Sequence, residues 1–223
     1  MGTTHGMACN ETLASFHRHD TRTQVEFSVA DGDVDALLAI KDLRSRDEIS
    51  NLKANIYKFP SNRQRIGGLT FGSKIRVIDK NSKFLKFAKG WVSKSDVRPI
   101  TFKEKNPFKK ISIFRNIKYK WGGKSFEGID CSALVQVFLN FNKKYCPRDA
   151  KDQVKYFKKN IKLKNIRKND IIFWKGHVAV ALSNKKLIHA YGPMKKTVVM
   201  GVNQTIERIK RTANLKVIGI RRL

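Results

Sequence analysis

Apolar and polar positions divide the chain into stretches with different periods. From Leu52 to Ile100, the short runs LKANIYKF, KIRVID, FLKFA and GWVS are separated by SNRQ, Gly67-Gly68, Asn81-Ser82 and Gly90. Brief runs between turn formers predict strands, and several at close spacing predict a small barrel. After Pro107, Ile111, Phe114 and Ile117 recur at helical spacing, which ends at Trp121-Gly122-Gly123. The run CSALVQVFLNF, 131–141, is apolar on several sides and predicts a buried central helix. A short amphipathic helix is expected in AKDQVKYFKK, 150–159.

From Ile171 the period changes to two. IIFW, HVAVAL, KLIHAY, TVVMGV and LKVIGIR read as strands, with one more helix around Thr205–Lys210. A helix followed by closely spaced strands predicts an α+β fold with an antiparallel sheet.

Charge adds a boundary. Residues 1–49 hold 5 basic and 9 acidic residues, have no Lys before Lys41 and carry three of the five His, whereas residues 50–223 hold 42 basic and 9 acidic ones. Three units are therefore expected: an acidic, poorly ordered arm over 1–49 with at most a short helix near Asp33–Leu43, a small all-β domain over 50–104, and an α+β domain over 105–223. Alternatively the first segment docks as an element of the next domain.

The net charge of +29 draws the protein to polyanions, but the lysines are dispersed and lack the aromatic interleaving of a nucleic-acid platform. A specific nucleic-acid partner is not expected. No apolar run reaches the length of a membrane span, and the first 30 residues show no basic region followed by an apolar one. Cys9, Cys131 and Cys146 form neither a CxxC pair nor a disulfide framework. A cytoplasmic location is expected, with the periplasm or cell wall as the alternative, and the chain is expected to be a monomer.

Cys131 follows Asp130, a good N-cap type, and opens the apolar helix. Unpaired N–H groups and the helix dipole at such a place favour a thiolate. The bland reading is a small buried hydrophobe, which suffices for Cys146. His177 and His189 lie in successive strands. If the turn between them has three residues, Ser183–Lys185, position 177 pairs with 191 and 189 with 179, so both imidazoles share one face. His177 is then the base for Cys131 and His189 fixes its tautomer. His189 could instead be a surface strand histidine. A zinc site of Cys131, His177 and His189 lacks a visible fourth ligand, so no metal or other cofactor is expected.

Five segments carry a resemblance: Tyr119-Lys120-Trp121-Gly122-Gly123, Gly128-Ile129-Asp130-Cys131-Ser132, Pro147-Arg148-Asp149-Ala150-Lys151-Asp152-Gln153, Asp170-Ile171-Ile172-Phe173-Trp174 and Gly176-His177-Val178. In order and spacing they resemble the NlpC/P60 cysteine peptidases, and the stretch before them, closing on Gly90-Trp91-Val92, resembles a bacterial SH3 domain. The resemblance implies a papain-like core with Cys131 as nucleophile and His177 and His189 as its partners. It implies hydrolysis of peptidoglycan-derived peptides at the γ-D-glutamyl bond to a diamino acid such as diaminopimelate. It also implies a substrate cleft lined by Tyr119, Trp121, Asp130, Ser132 and Asp149, the last binding a free amine.

Read without the family, Asp149 could be an N-cap and Tyr119 and Trp121 core aromatics. Ala133 and Ala150 depart from the family's usual Gly and Ser, and only Asp79 and Asp96 are acidic in the expected SH3-like stretch. Two other readings stand beside the peptidase: a non-catalytic module that holds anionic polymer, and a thiol acyl hydrolase or amidase on another substrate.

Overall fold

Alternation in the first half becomes eight short strands in the computed structural model, which describes residues 47–223. They are β1 (Asp47–Ile49), β2 (Lys53–Tyr57), β3 (Arg65–Thr70), β4 (Lys74–Ile75), β5 (Asp79–Lys80), β6 (Phe84–Phe87), β7 (Gly90–Ser93) and β8 (Val97–Pro99). Antiparallel pairing gives a three-stranded sheet, β4-β1-β8, and a five-stranded one, β3-β2-β7-β6-β5. In β2 the period of two is explicit: Ala54 and Ile56 are buried, while Lys53, Asn55 and Tyr57 are partly exposed. Ile56, Ile75, Phe87 and Val92 form the small core beneath.

Three expectations need correction. Gly67-Gly68 is no separator but the middle of β3, where Gly67 pairs with Ile56 and Gly68 with Asn55 of β2. The break at residue 49 falls inside paired structure, since β1 is held between β4 and β8 and Glu48 is buried. The helical spacing after Pro107 yields only a 3-10 turn, Ile111–Phe114. Asn116 then takes a positive φ of 66°, and the backbone of Asn116 and Ile117 bonds to Thr197 instead of continuing a helix. The helix expected near Asp33–Leu43, and Cys9, lie outside the described residues.

The second half follows the sequence more closely. After β9 (Lys124–Ser125) and β10 (Gly128–Ile129) come helix α1 (Cys131–Phe141), α2 (Ala150–Tyr156) and β11 (Lys159–Asn160). Then follow β12 (Ile171–Trp174), β13 (His177–Ala181), β14 (Lys186–Tyr191), β15 (Lys196–Gly201), α3 (Val202–Ala213) and β16 (Val217–Arg222). The six-stranded sheet runs β11-β16-β12-β13-β14-β15 and is antiparallel throughout.

Both faces of this sheet are covered, which explains why IIFW is continuously apolar: Ile171 and Phe173 join the cluster containing α1, Ile172 and Trp174 the one containing Ile209 of α3. Helix α1 ends in a Schellman motif: Lys143, at φ 60°, donates to Asn140 O, and Lys144 donates to Leu139 O. Asp170, fully buried, is paired with Arg222 by two 2.7 Å hydrogen bonds and so ties β12 to β16. Among the described residues no helix is long and apolar enough to cross a membrane.

The two halves share a core. Phe71, at the end of β3, stacks on Phe138 and Phe141 of α1 and meets the edge of Phe114. Glu48 of β1 accepts from Arg98 and from Lys143 just beyond α1, and Arg98 also donates to the Phe141 carbonyl at 2.7 Å. Burial raises the Glu48 carboxyl, while the two cations oppose that. Removing one partner would strand a buried charge, so the seam is held by groups from both sides.

Candidate active site

Asp130 sets the start of α1. Its backbone is extended, and its Oδ1 accepts the Ala133 N–H at 2.8 Å, the side-chain cap that its residue type foretells. The same carboxylate accepts Gly122 N–H at 2.9 Å, Ser132 Oγ at 3.2 Å and both terminal nitrogens of Arg148. Arg148 also donates to Ser132 Oγ at 2.9 Å. Gln153 of α2, fully buried, donates to the carbonyls of Ser132 and Pro147, each at 2.9 Å. The first turn of α1, which carries Cys131, is thus clamped from the Trp121-Gly122-Gly123 turn and from the segment entering α2. The turn needs its glycines: a β-carbon at Gly123 would lie 2.5 Å from the Gly128 carbonyl oxygen.

The imidazoles meet on the sheet. Leu182 and Ser183 N–H both bond to the Lys186 carbonyl, and Val180 pairs with Ile188 and Ala181 with Leu187, the register of a three-residue turn. His177 Nε2 and His189 Nδ1 are 2.8 Å apart. Tyr191 stacks on His189, 4.7 Å between centroids and 15° between planes, and Trp174 lies 5.6 Å from His177. These rings occupy the sheet face that also bears Trp174 and Tyr191, whereas α1 packs on the other.

Two pairs, Val180–Ile188 and Ala181–Leu187, join β13 to β14. The Val178 N–H, next to His177, points to the Cys131 sulfur together with the N–H groups of Ser132 and Cys131 itself. The sequence predicts a thiolate here, and burial acts against it. Burial pushes the Cys131 thiol up to about 11 and Asp130 adds to it, outweighing the three N–H groups that pull the other way. Burial likewise lowers His177 to about 4. Burial thus disfavours both the thiolate and the imidazolium.

That has a measurable consequence. Below the ordinary histidine value of 6.5 the unfolded chain takes protons that folded His177 refuses until about 4. Stability is therefore fully present above pH 6.5 and is lost as pH falls toward 4, by about 3 kcal/mol for this group. Thermal midpoints measured across that window should fall more steeply in the wild type than in a His177→Gln variant. Parallel curves would refute the buried neutral ring.

The remaining expected residues are placed as follows. Tyr119 is half-buried; its phenol is pushed up to about 12 by burial and then by the charges of Cys131 and Asp130, so it borders the nucleophile. Trp121 is 83% exposed and no core aromatic. Asp149 occupies the N-cap position of α2 by its backbone, but its side chain makes no capping hydrogen bond and is exposed. Asp130 and Ser132 are buried and engaged by Arg148. Arg148 is the residue that sequence reasoning passed over, although it stood inside the Pro147-Arg148-Asp149 segment. Cys131 and Cys146 are free thiols. Among the described residues no group of three His, Cys, Asp or Glu is arranged to hold a metal ion.

The second half thus combines a cysteine at a helix start with two histidines in contact on an antiparallel sheet. Residues 116–212 match the model of the NlpC/P60 family. A crystal structure of an NlpC/P60 family protein from Bacillus cereus ATCC 10987 superposes with a TM-score of 0.68 at 20% identity, covering 84% of this chain and 66% of that one. The chain is 26% identical over 182 residues to the gamma-D-glutamyl-L-lysine dipeptidyl-peptidase of Bacillus subtilis (strain 168), covering 74% of this chain and 61% of the relative. It is 39% identical over 72 residues to dipeptidyl-peptidase 6 of Lysinibacillus sphaericus, covering 32% and 27%. The chain thus spans less than two thirds of either relative.

Proposed function

We propose that the protein is a cysteine endopeptidase that hydrolyses peptidoglycan-derived peptides at the bond between γ-D-glutamate and a diamino acid. The observation that carries this reading is the 2.8 Å contact of His177 Nε2 with His189 Nδ1 beside a helix-borne Cys131. With His177 Nε2–H donating to His189 Nδ1, the other nitrogen, Nδ1 of His177, is left as base. Cys131 attacks the scissile carbonyl as its proton passes to His177, and the tetrahedral oxygen is held by N–H groups at the start of α1. His177 returns the proton to the leaving amine, giving a thioester. Water, deprotonated by His177, then hydrolyses the thioester and restores the thiol.

Because burial disfavours both the thiolate and the imidazolium, proton transfer accompanies attack instead of preceding it. The acyl-side cleft is formed by Tyr119, Trp121, Asp130, Ser132 and Asp149, with Arg148 holding Asp130 and Ser132 in place. Asp149 is an exposed carboxylate with no capping duty, and so suits the ammonium group of a peptide whose first residue is unsubstituted. The strands before residue 100 serve as a bacterial SH3-like unit that walls this cleft, and the enzyme acts in the cytoplasm on imported fragments.

Mass spectrometry of defined tri- and tetrapeptides tests the bond and the end together. Cleavage after γ-D-glutamate is expected, with free-amine peptides preferred over N-acetylated ones. Asp149→Asn should raise KM for the free-amine peptide about tenfold or more, with kcat little changed. Equal turnover of acetylated peptides, or an Asp149→Asn variant that behaves as the wild type, would remove the amine-binding role. Intact peptides throughout would remove the peptidase reading.

A further inference from the structure

Basic residues unused by the hydrolase reading gather along β11, the turn that follows it, and α3. From Lys158 to Lys168 there are six basic residues and no acidic one, all six exposed. Within that run Leu163 opens a 3-10 turn between Lys162 and Lys164 and is 44% exposed. Opposite it, α3 stops at Asn214, whose φ of 52° turns the chain back toward β16. Ile206, Leu215, Val217 and Ile220 floor the groove between the two, which measures about 260 Å³ with Leu163 as one wall. Lys210 and Lys216 stand on its rim, and Glu207 is its sole acidic lining residue.

A soluble polyanion would use the lysines and gain nothing from an apolar floor. An uncharged protein surface would use the floor and leave the lysines crowded. An anionic lipid surface satisfies both, since its phosphates accept the lysine ammonium groups while acyl carbon covers Leu163 and the floor. Long lysine stems reinforce this by lying along apolar surface with their charge outward.

We infer that this lysine-rimmed groove docks the protein peripherally on an anionic lipid membrane, Leu163 entering the headgroup boundary. The inference does not depend on the peptidase reading, because neither Cys131 nor the histidines take part.

Cosedimentation of the full chain with vesicles tests it. Binding is expected to phosphatidylcholine vesicles that contain phosphatidylglycerol and not to phosphatidylcholine alone. The Lys210→Glu/Lys216→Glu variant should bind about tenfold or more weakly. Leu163→Gln should abolish the part of the binding that survives raised salt. A reversal of equal charge on the other half of the chain, Lys80→Glu/Lys83→Glu, should change little, and peptide hydrolysis in solution should be the same in all. Equal weakening by the two double reversals would overturn the proposal in favour of diffuse attraction. Polyphosphate bound as tightly as vesicles, with Leu163→Gln without effect, would overturn it in favour of a soluble polymer.

Discussion

Replacing Cys131 with serine is expected to lower peptide hydrolysis by about 10⁴-fold or more while leaving the fold in place. Serine is close to cysteine in size, and the Val178, Ser132 and Cys131 N–H groups that face the sulfur can serve a hydroxyl oxygen equally well. What serine lacks is the acidity and nucleophilicity of the thiol, so an imidazole placed for sulfur activates it far less. Thermal midpoint and hydrolysis rate measured on the same preparation separate the two effects. Undiminished hydrolysis would end the nucleophile assignment and favour a binding module. The same loss of rate with a matching loss of folded protein would mean that the side chain serves the core instead.

Phe71→Ala carries the second large effect, a loss of about 3–5 kcal/mol of stability. The ring belongs to the first half of the chain but sits 4.6 Å from Phe138 and 4.2 Å from Phe141, centroid to centroid, with Phe114 at 5.9 Å. Its removal leaves a cavity against the helix that presents Cys131, and rigid neighbours refill such a space only in part. Denaturant unfolding followed by two probes, Trp91 fluorescence in the strands and Trp174 fluorescence in the sheet, should give one transition at a lower midpoint. Two separated transitions, with the Trp174 signal unshifted, would show that the halves are independent and that the aromatic seam contributes little.

Much of the second half was legible because its patterns are local. Short apolar runs between turn residues marked β12 to β15, and residue parity across a three-residue turn set both imidazoles on one face. Asp130 before an apolar run gave the start of α1. What escaped depends on distant partners. Ile111, Phe114 and Ile117 have helical spacing, yet the backbone after them has a better set of hydrogen bonds on β15, and tertiary pairing prevails over a weak local preference. Gly67-Gly68 looks like punctuation, but both lie inside β3, paired with Ile56 and Asn55 of β2. Phe71 and Glu48 carry no local mark of the seam they build.

Cys131 shows the same limit in its chemistry. The helix start was visible in the sequence, whereas the depth of burial that reverses its effect on the thiol was not. Arg148 is a related case, since a lone arginine in a loop gives no sign of the carboxylate it will grip eighteen positions away.

The burial of Cys131 also bears on how the protein ages. Peroxides and disulfide-bearing metabolites react with the ionised form of a cysteine, and the ladder of sulfur acids begins there. Burial pushes the Cys131 thiol up and so leaves less of that form for them to meet. Durability under oxidant and reluctance toward small alkylating agents follow from the same burial.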